Sequence, residues 1–370
     1  MSSSDWTSTF AQEGIFSTFK SNNPAFSNAN LAWVKYCSSD SWFGDAGPSA
    51  ATVGYSFRGS RIISAAVDGR RKFNGMGSTP GAQFLLAGCS AGGRGVMGSL
   101  EAVAQQLEGS GIEIKGMIDA AAWVDIPPPP WEAGLMSLQT MTAQVYAFSA
   151  PPIPPSCAAK YPGEEWKCIW SSYRLPLITV PYFLNAAQFD AFQLMYDMDN
   201  AAPTDGAQFA YVDSFQNATL KLFAELPETA AILSSACSIH CLSGNADFYN
   251  CTVDGVSMEQ AVDVWFFGGK DGWRLIEPCR GYDCTNRCVG GPWMPSNVQC
   301  SPSPDYGCGQ MSPLGVQQTS INEALGFNEA LEATPEQQRP LQAAPGLAPG
   351  QAQGMDTFVN QQEVAQKSTQ

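Results

Sequence analysis

The chain holds one histidine in 370 residues, so any reaction that needs an imidazole base must use His240. Basic residues are scarce too: 19 Lys and Arg stand against 34 Asp and Glu, a net charge of −15. No Lys/Arg cluster tracks a phosphate backbone, which argues against nucleic acid as a partner. Long apolar runs are missing. None approaches the roughly 18 residues that cross a bilayer, so no membrane span is expected. The opening residues Met1-Ser-Ser-Ser-Asp-Trp6 carry neither a basic stretch nor an apolar one, and no signal peptide is legible.

Cysteine, by contrast, is plentiful. There are 12, eight of them from Cys237 to Cys308, a density that points to an oxidising compartment and a disulfide framework. Asn217-Ala-Thr219 and Asn250-Cys-Thr252 are glycosylation sequons and fit the same route. A secreted, extracellular or cell-wall location is therefore expected, with the export signal upstream of a chain that begins late. Apolar residues make up 44%, enough for the core of one large α/β domain.

Periodicity along the chain predicts strands at Leu31–Tyr36, Gln83–Ala87, Ile112–Ile118, Leu177–Phe183 and Ala230–Ser238. Helical spacing falls at Val96–Leu107, 207–225 and 257–267. Strands alternating with crossovers favour a mostly parallel sheet with helices on both faces, the α/β class. Prolines 127–130 and 151–155 bound an insertion unable to continue sheet or helix, and 127–175 is read as lid-like. Residues 1–310 would form the catalytic domain, as a monomer. The Gln/Pro/Ala-rich residues 311–370 would form a disordered tail.

Gly88-Cys-Ser90-Ala-Gly92 sits between a predicted strand and a predicted helix. That context suits a nucleophilic serine on a strained turn, where flanking glycines leave room for the backbone. A serine hydroxyl needs a base, and His240 is the only candidate. The third member is a carboxylate that orients the imidazole, and on spacing Asp119, Asp125 and Asp190 all follow strands. Asp190, modestly preferred, is equally well read as a helix N-cap. No cofactor and no metal are implied. Cys279, Cys284 and Cys288 lack paired C-x2-C spacing and a nearby histidine, which favours disulfides over zinc. Cys157 with Cys168 is the first local bridge to name, whereas Cys89 reads equally as a buried thiol or as half of a bridge.

Val34-Lys-Tyr-Cys-Ser-Ser-Asp40, Phe57-Arg-Gly-Ser-Arg-Ile62, Leu85-Leu-Ala-Gly-Cys-Ser-Ala-Gly-Gly93, Glu164-Glu-Trp-Lys-Cys168, Gln188-Phe-Asp190, Ala236-Cys-Ser-Ile-His-Cys241 and Ala261-Val-Asp-Val-Trp-Phe266 occur in one order. In these motifs the chain resembles the pectin acetylesterase and Notum family of α/β-hydrolase carboxylesterases, from about Phe10 to Cys288. The resemblance implies a triad of Ser90, Asp190 and His240, leaves Asp119 a structural role, and makes the Ala91 N–H one oxyanion donor. It implies an acyl-enzyme route on an acylated polysaccharide, foremost a pectin-like acetyl ester, or on an acylated protein or lipid. It also places Ile169 and Trp170 at an acyl pocket, although both read equally as core residues. Family members take further oxyanion donors from a Gly-Gly-Gly-Trp-Cys segment after an early strand. Because this chain shows none, an N-terminally truncated sequence is expected, and a non-catalytic homologue is the alternative.

Overall fold

The computed structural model describes residues 13–132, 136–199, 202–287 and 298–300. After α1 (Gly59–Asn74) the chain runs through β1 (Gln83–Cys89), α2 (Ala91–Gln106) and β2 (Glu113–Asp119). Helices α3 (Leu138–Ser149), α4 (Pro155–Lys160) and α5 (Ser171–Arg174) precede β3 (Tyr182–Asn185). Then come α6 (Ala191–Met198), α7 (Gly206–Glu225), β4 (Ala231–Ser234), α8 (Asp247–Asn250), β5 (Cys251–Val253), β6 (Val256–Ser257), α9 (Met258–Phe266), β7 (Arg274–Ile276) and β8 (Val298–Cys300).

The central sheet runs β1-β2-β3-β4-β7 and every pair in it is parallel, in line with the expected class. Each of the three inner strands divides its side chains between two apolar layers, as a period of two requires. Ile118, Leu184 and Ile232 join Val96, Met97 and Leu100 of α2 and Phe215 of α7. Their neighbours Met117, Phe183 and Leu233 join Val262 and Trp265 of α9 on the other face. The functional consequence is that β1, β2 and β3 end together, with Cys89 opposite Asp119 and Asp119 opposite Asn185 in the register. In an open parallel sheet that edge is where ligands bind.

Four expectations need correction. Leu31–Tyr36 forms no strand; none of the sheet pairings among the described residues engages it, and Trp33 instead packs edge-on against Phe16. Aromatic and β-branched content describes a surface that suits a strand, but a strand exists only within a ladder. The third parallel strand starts at Tyr182 rather than Leu177, because Leu175–Leu177 turns as a 3-10 helix at Pro176 and Pro181 has no N–H to donate. The fourth ends at Ser234, before Ser238. The proline clusters at 127–130 and 151–155 flank a 12-residue helix, α3, rather than excluding one, and Ser137 caps it by accepting the Thr140 N–H at 3.0 Å. The expected tail at 311–370, with Cys288 and Cys308, lies outside the described residues.

One ion pair fastens the segment after α4 to α2. The Arg174 guanidinium is fully buried and donates to Glu101 Oε2 at 2.6 Å. Glu101→Ala would strand that cation, and it is expected to lower unfolding stability by about 3 kcal/mol in urea. A variant with an unchanged midpoint would show that the pair contributes nothing.

Candidate active site

Ser90 occupies the turn between β1 and α2 with φ 54° and ψ −119°, a left-handed conformation unusual for a side-chain-bearing residue. The turn is held from below by Asp119, whose carbonyl accepts the Ser90 N–H at 2.9 Å. Space explains its glycines, though not as the pentapeptide suggested. A Cβ on Gly88 would lie 2.4 Å from the Gly92 backbone, and one on Gly93 would lie 2.7 Å from the Asp119 carbonyl. Gly92, counted above as a crowded position, has open space. Ala91 opens the 16-residue α2, so its N–H is among those with no intrahelical acceptor, at the positive end of the helix dipole.

His240 lies on the irregular segment after β4. Its Nδ1 is 2.8 Å from Asp190 Oδ2, with side-chain exposures of 13% and 10%. Asp190 serves both roles that the sequence left open: its other oxygen accepts the Gln193 N–H at 2.9 Å and caps α6. Burial disfavours the charged imidazole, but the Asp190 carboxylate beside it outweighs burial, and the His240 pKa is raised above 6.5. His240 Nε2 is buried without a hydrogen bond among the described residues, which leaves it able to take a proton. No hydrogen bond joins it to Ser90 here, and such contacts commonly tighten only with substrate.

Asp119, fully buried, is an anchor that sequence reasoning left without a stated job. Its carboxylate accepts the N–H groups of Leu242 and Ser243, at 2.9 and 2.7 Å, and the Asn185 amide at 2.7 Å. It therefore holds the loop after His240 while its backbone holds Ser90. Glu277 accepts the Ala236 N–H at 2.8 Å, and Ala191 N–H donates to the Ile239 carbonyl, so the loop is fixed before His240 as well. Asp125 faces away into solvent, bonded to Gln139 and the Tyr173 hydroxyl.

Cys89 and Cys241 are joined, which places a disulfide between the residue before Ser90 and the residue after His240, across 152 positions. Their sulfurs lie within 4.8 Å of a His240 nitrogen, a grouping that could hold a metal, but the bonded pair offers no thiolate ligand. Cys157 is bonded to Cys168 and Cys279 to Cys284. The Cys89→Ala/Cys241→Ala double variant is expected to lose about a hundredfold in kcat/KM for p-nitrophenyl acetate while remaining folded by circular dichroism, because displacing a reacting group by about 1 Å costs that much. Full activity in the folded variant would mean that Asp119 and Glu277 suffice to position the loops.

Beside His240 runs an aromatic wall. Phe192 packs on the imidazole at 5.3 Å, Trp123 stacks on Phe192 at 5.5 Å, and Trp170 lies 5.9 Å from Trp123. Trp170 and Ile169 are each 1% exposed, and Ile169 also belongs to the main core. Asn217 is exposed on α7, whereas the Asn250 side-chain nitrogen is buried.

The pectinacetylesterase family profile matches residues 1–289. Mouse palmitoleoyl-protein carboxylesterase NOTUM is 30% identical over 84% of this chain, which spans 62% of that protein. Pectin acetylesterase 11 of Arabidopsis thaliana is 26% identical over 75% of this chain and 74% of its own length. The structure of the Wnt deacylase Notum from Drosophila superposes with a TM-score of 0.70 at 28% identity, covering 76% of this chain and 80% of that one.

Proposed function

The chain belongs to the pectinacetylesterase family, and from that premise we propose that it is a serine carboxylesterase acting on O-acyl esters, foremost acetyl esters of a pectin-like cell-wall polysaccharide. The observation that carries this reading is the 2.8 Å contact between His240 and Asp190, on a loop bridged by Cys89–Cys241 to the strained turn of Ser90. Ser90 Oγ attacks the ester carbonyl as His240 Nε2 takes its proton, and Asp190 holds the Nδ1–H and stabilises the imidazolium. The Ala91 N–H and the α2 dipole face the developing oxyanion. The proton then goes to the departing alcohol, and a water repeats the sequence on the acyl-serine.

An acylated protein is the second reading, favoured by one observation: the mouse relative at 30% identity is named a palmitoleoyl-protein carboxylesterase, while the plant pectin acetylesterase stands at 26%. The three disulfides above support work in an oxidising, extracellular setting. Among the described residues no helix is long and apolar enough to cross a membrane. A fluorophosphonate probe tests the activity directly. It is expected to label the protein once, on the peptide containing Ser90; labelling elsewhere, or none, would refute the assignment.

A further inference from the structure

Arg94 is the one buried cation of α2, and it stands one turn from Ser90, its N–H donating to the Ser90 carbonyl at 2.9 Å. Long helical side chains lean toward the helix N-terminus, which carries this guanidinium back toward the Ser90 turn. Its contacts locate it. It donates to the Ile169 carbonyl at 2.9 Å, Ser41 Oγ at 3.2 Å and Thr142 Oγ1 at 3.4 Å. It lies over the ring of Trp123 at 4.6 Å and that of Phe43 at 5.3 Å. Arg94 therefore meets the same Trp123 that, through Phe192, reaches His240.

What sets this cation apart is the absence of a counter-charge. The side chain is 1% exposed, its Nε has no acceptor, and among the described residues no carboxylate lies within ion-pair reach. Burial lowers its pKa to about 10, which still leaves it charged near neutrality. A buried, unpaired guanidinium is costly for folding alone, and an apolar residue of similar length would pack there more cheaply.

We propose that Arg94 is a specificity-determining residue of this site, closing the acyl side beside Ser90 so that acetyl and similarly short groups enter and chains of about eight carbons or more do not. The proposal rests on the esterase reading and deepens it toward the acetyl ester. An acetyl methyl ends near the carbonyl carbon and never meets the guanidinium. A long chain that entered among Trp123 and Trp170, both 1% exposed, would either lie against an uncompensated charge or pull Arg94 from its three oxygen acceptors, and both are unfavourable.

Two readouts test it on the whole chain. In the first, the wild type should favour p-nitrophenyl acetate over p-nitrophenyl octanoate in kcat/KM. Arg94→Leu, and Arg94→Met as a second variant should the first misfold, should move that ratio at least tenfold toward octanoate. An unchanged ratio in a folded variant, or a wild type that already favours octanoate, overturns the proposal. The second readout needs no catalysis. Octanamide, a neutral chain of the same length, should leave the wild-type Tm in place and raise that of the variants saturably. Wild-type stabilisation, or none in the variants, overturns the proposal. A wild type that hydrolyses neither ester would refute the esterase reading, while the octanamide comparison would still decide the role of Arg94.

Discussion

Replacing Ser90 by alanine is expected to lower p-nitrophenyl acetate hydrolysis by roughly 10⁶-fold and to abolish fluorophosphonate labelling, with the Tm close to wild type. The size of the loss follows from the nucleophile's position at the start of the covalent route: without Oγ no acyl-enzyme forms, and only whatever the α2 N-terminus does for bound ester remains. The fold should survive because alanine keeps both the Cβ and the backbone interactions of the turn. Serine already tolerates φ 54° there, and the N–H to the Asp119 carbonyl is retained. A folded Ser90→Ala protein with wild-type hydrolysis would remove Ser90 from the mechanism altogether.

Asp190→Asn is expected to cost roughly 10⁴-fold in kcat with little loss of structure. Asparagine caps helices about as well as aspartate, so the bond from Gln193 N–H to the start of α6 should persist. What is lost is the anion that selects the Nδ1–H tautomer and steadies the imidazolium, which separates the two jobs that one side chain performs. The pH dependence gives a second measurement. The proposed mechanism needs neutral His240, whose pKa Asp190 raises above 6.5 against burial. Wild-type kcat/KM should therefore rise with pH through that elevated value, and the acid limb of Asp190→Asn should move to lower pH. Stability runs the other way. A raised histidine pKa contributes stability that is full below 6.5 and fades as pH climbs through the folded value, so the wild type's advantage over the variant should shrink over that window. An acid limb that does not move would place the rate-limiting titration on another group.

The parts of this site that were legible in the sequence share a property: each is announced by local composition or by elimination. Ser90 stands out because a strand, a tight turn and a helix follow one another around it, and His240 because there is no other histidine. The inner strands showed as short apolar runs that need cover on both faces, and those faces are occupied by α2, α7 and α9. Leu31–Tyr36 failed for the complementary reason. Its residues carry β-propensity, but whether a partner edge is on offer depends on the whole sheet.

Legible along the chain itself were the strand–turn–helix that carries Ser90, the single histidine available to serve it as a base, the parallel α/β class and a cysteine density that suits an oxidising setting. Those are consequences of neighbours along the chain and of what the composition leaves out. Spacing left three aspartates open and only the family resemblance singled out Asp190; tertiary structure decided that this carboxylate reaches His240, that Cys89 is bonded to Cys241 at 152 residues' distance, that Asp119 ties the Ser90 turn to the His240 loop, and that Arg94 is buried without a counter-charge among the described residues. The reason is common to all four. Orientation, pairing and desolvation are set by which segments converge at the ends of β1, β2 and β3, and that convergence depends on contacts between residues far apart in the chain.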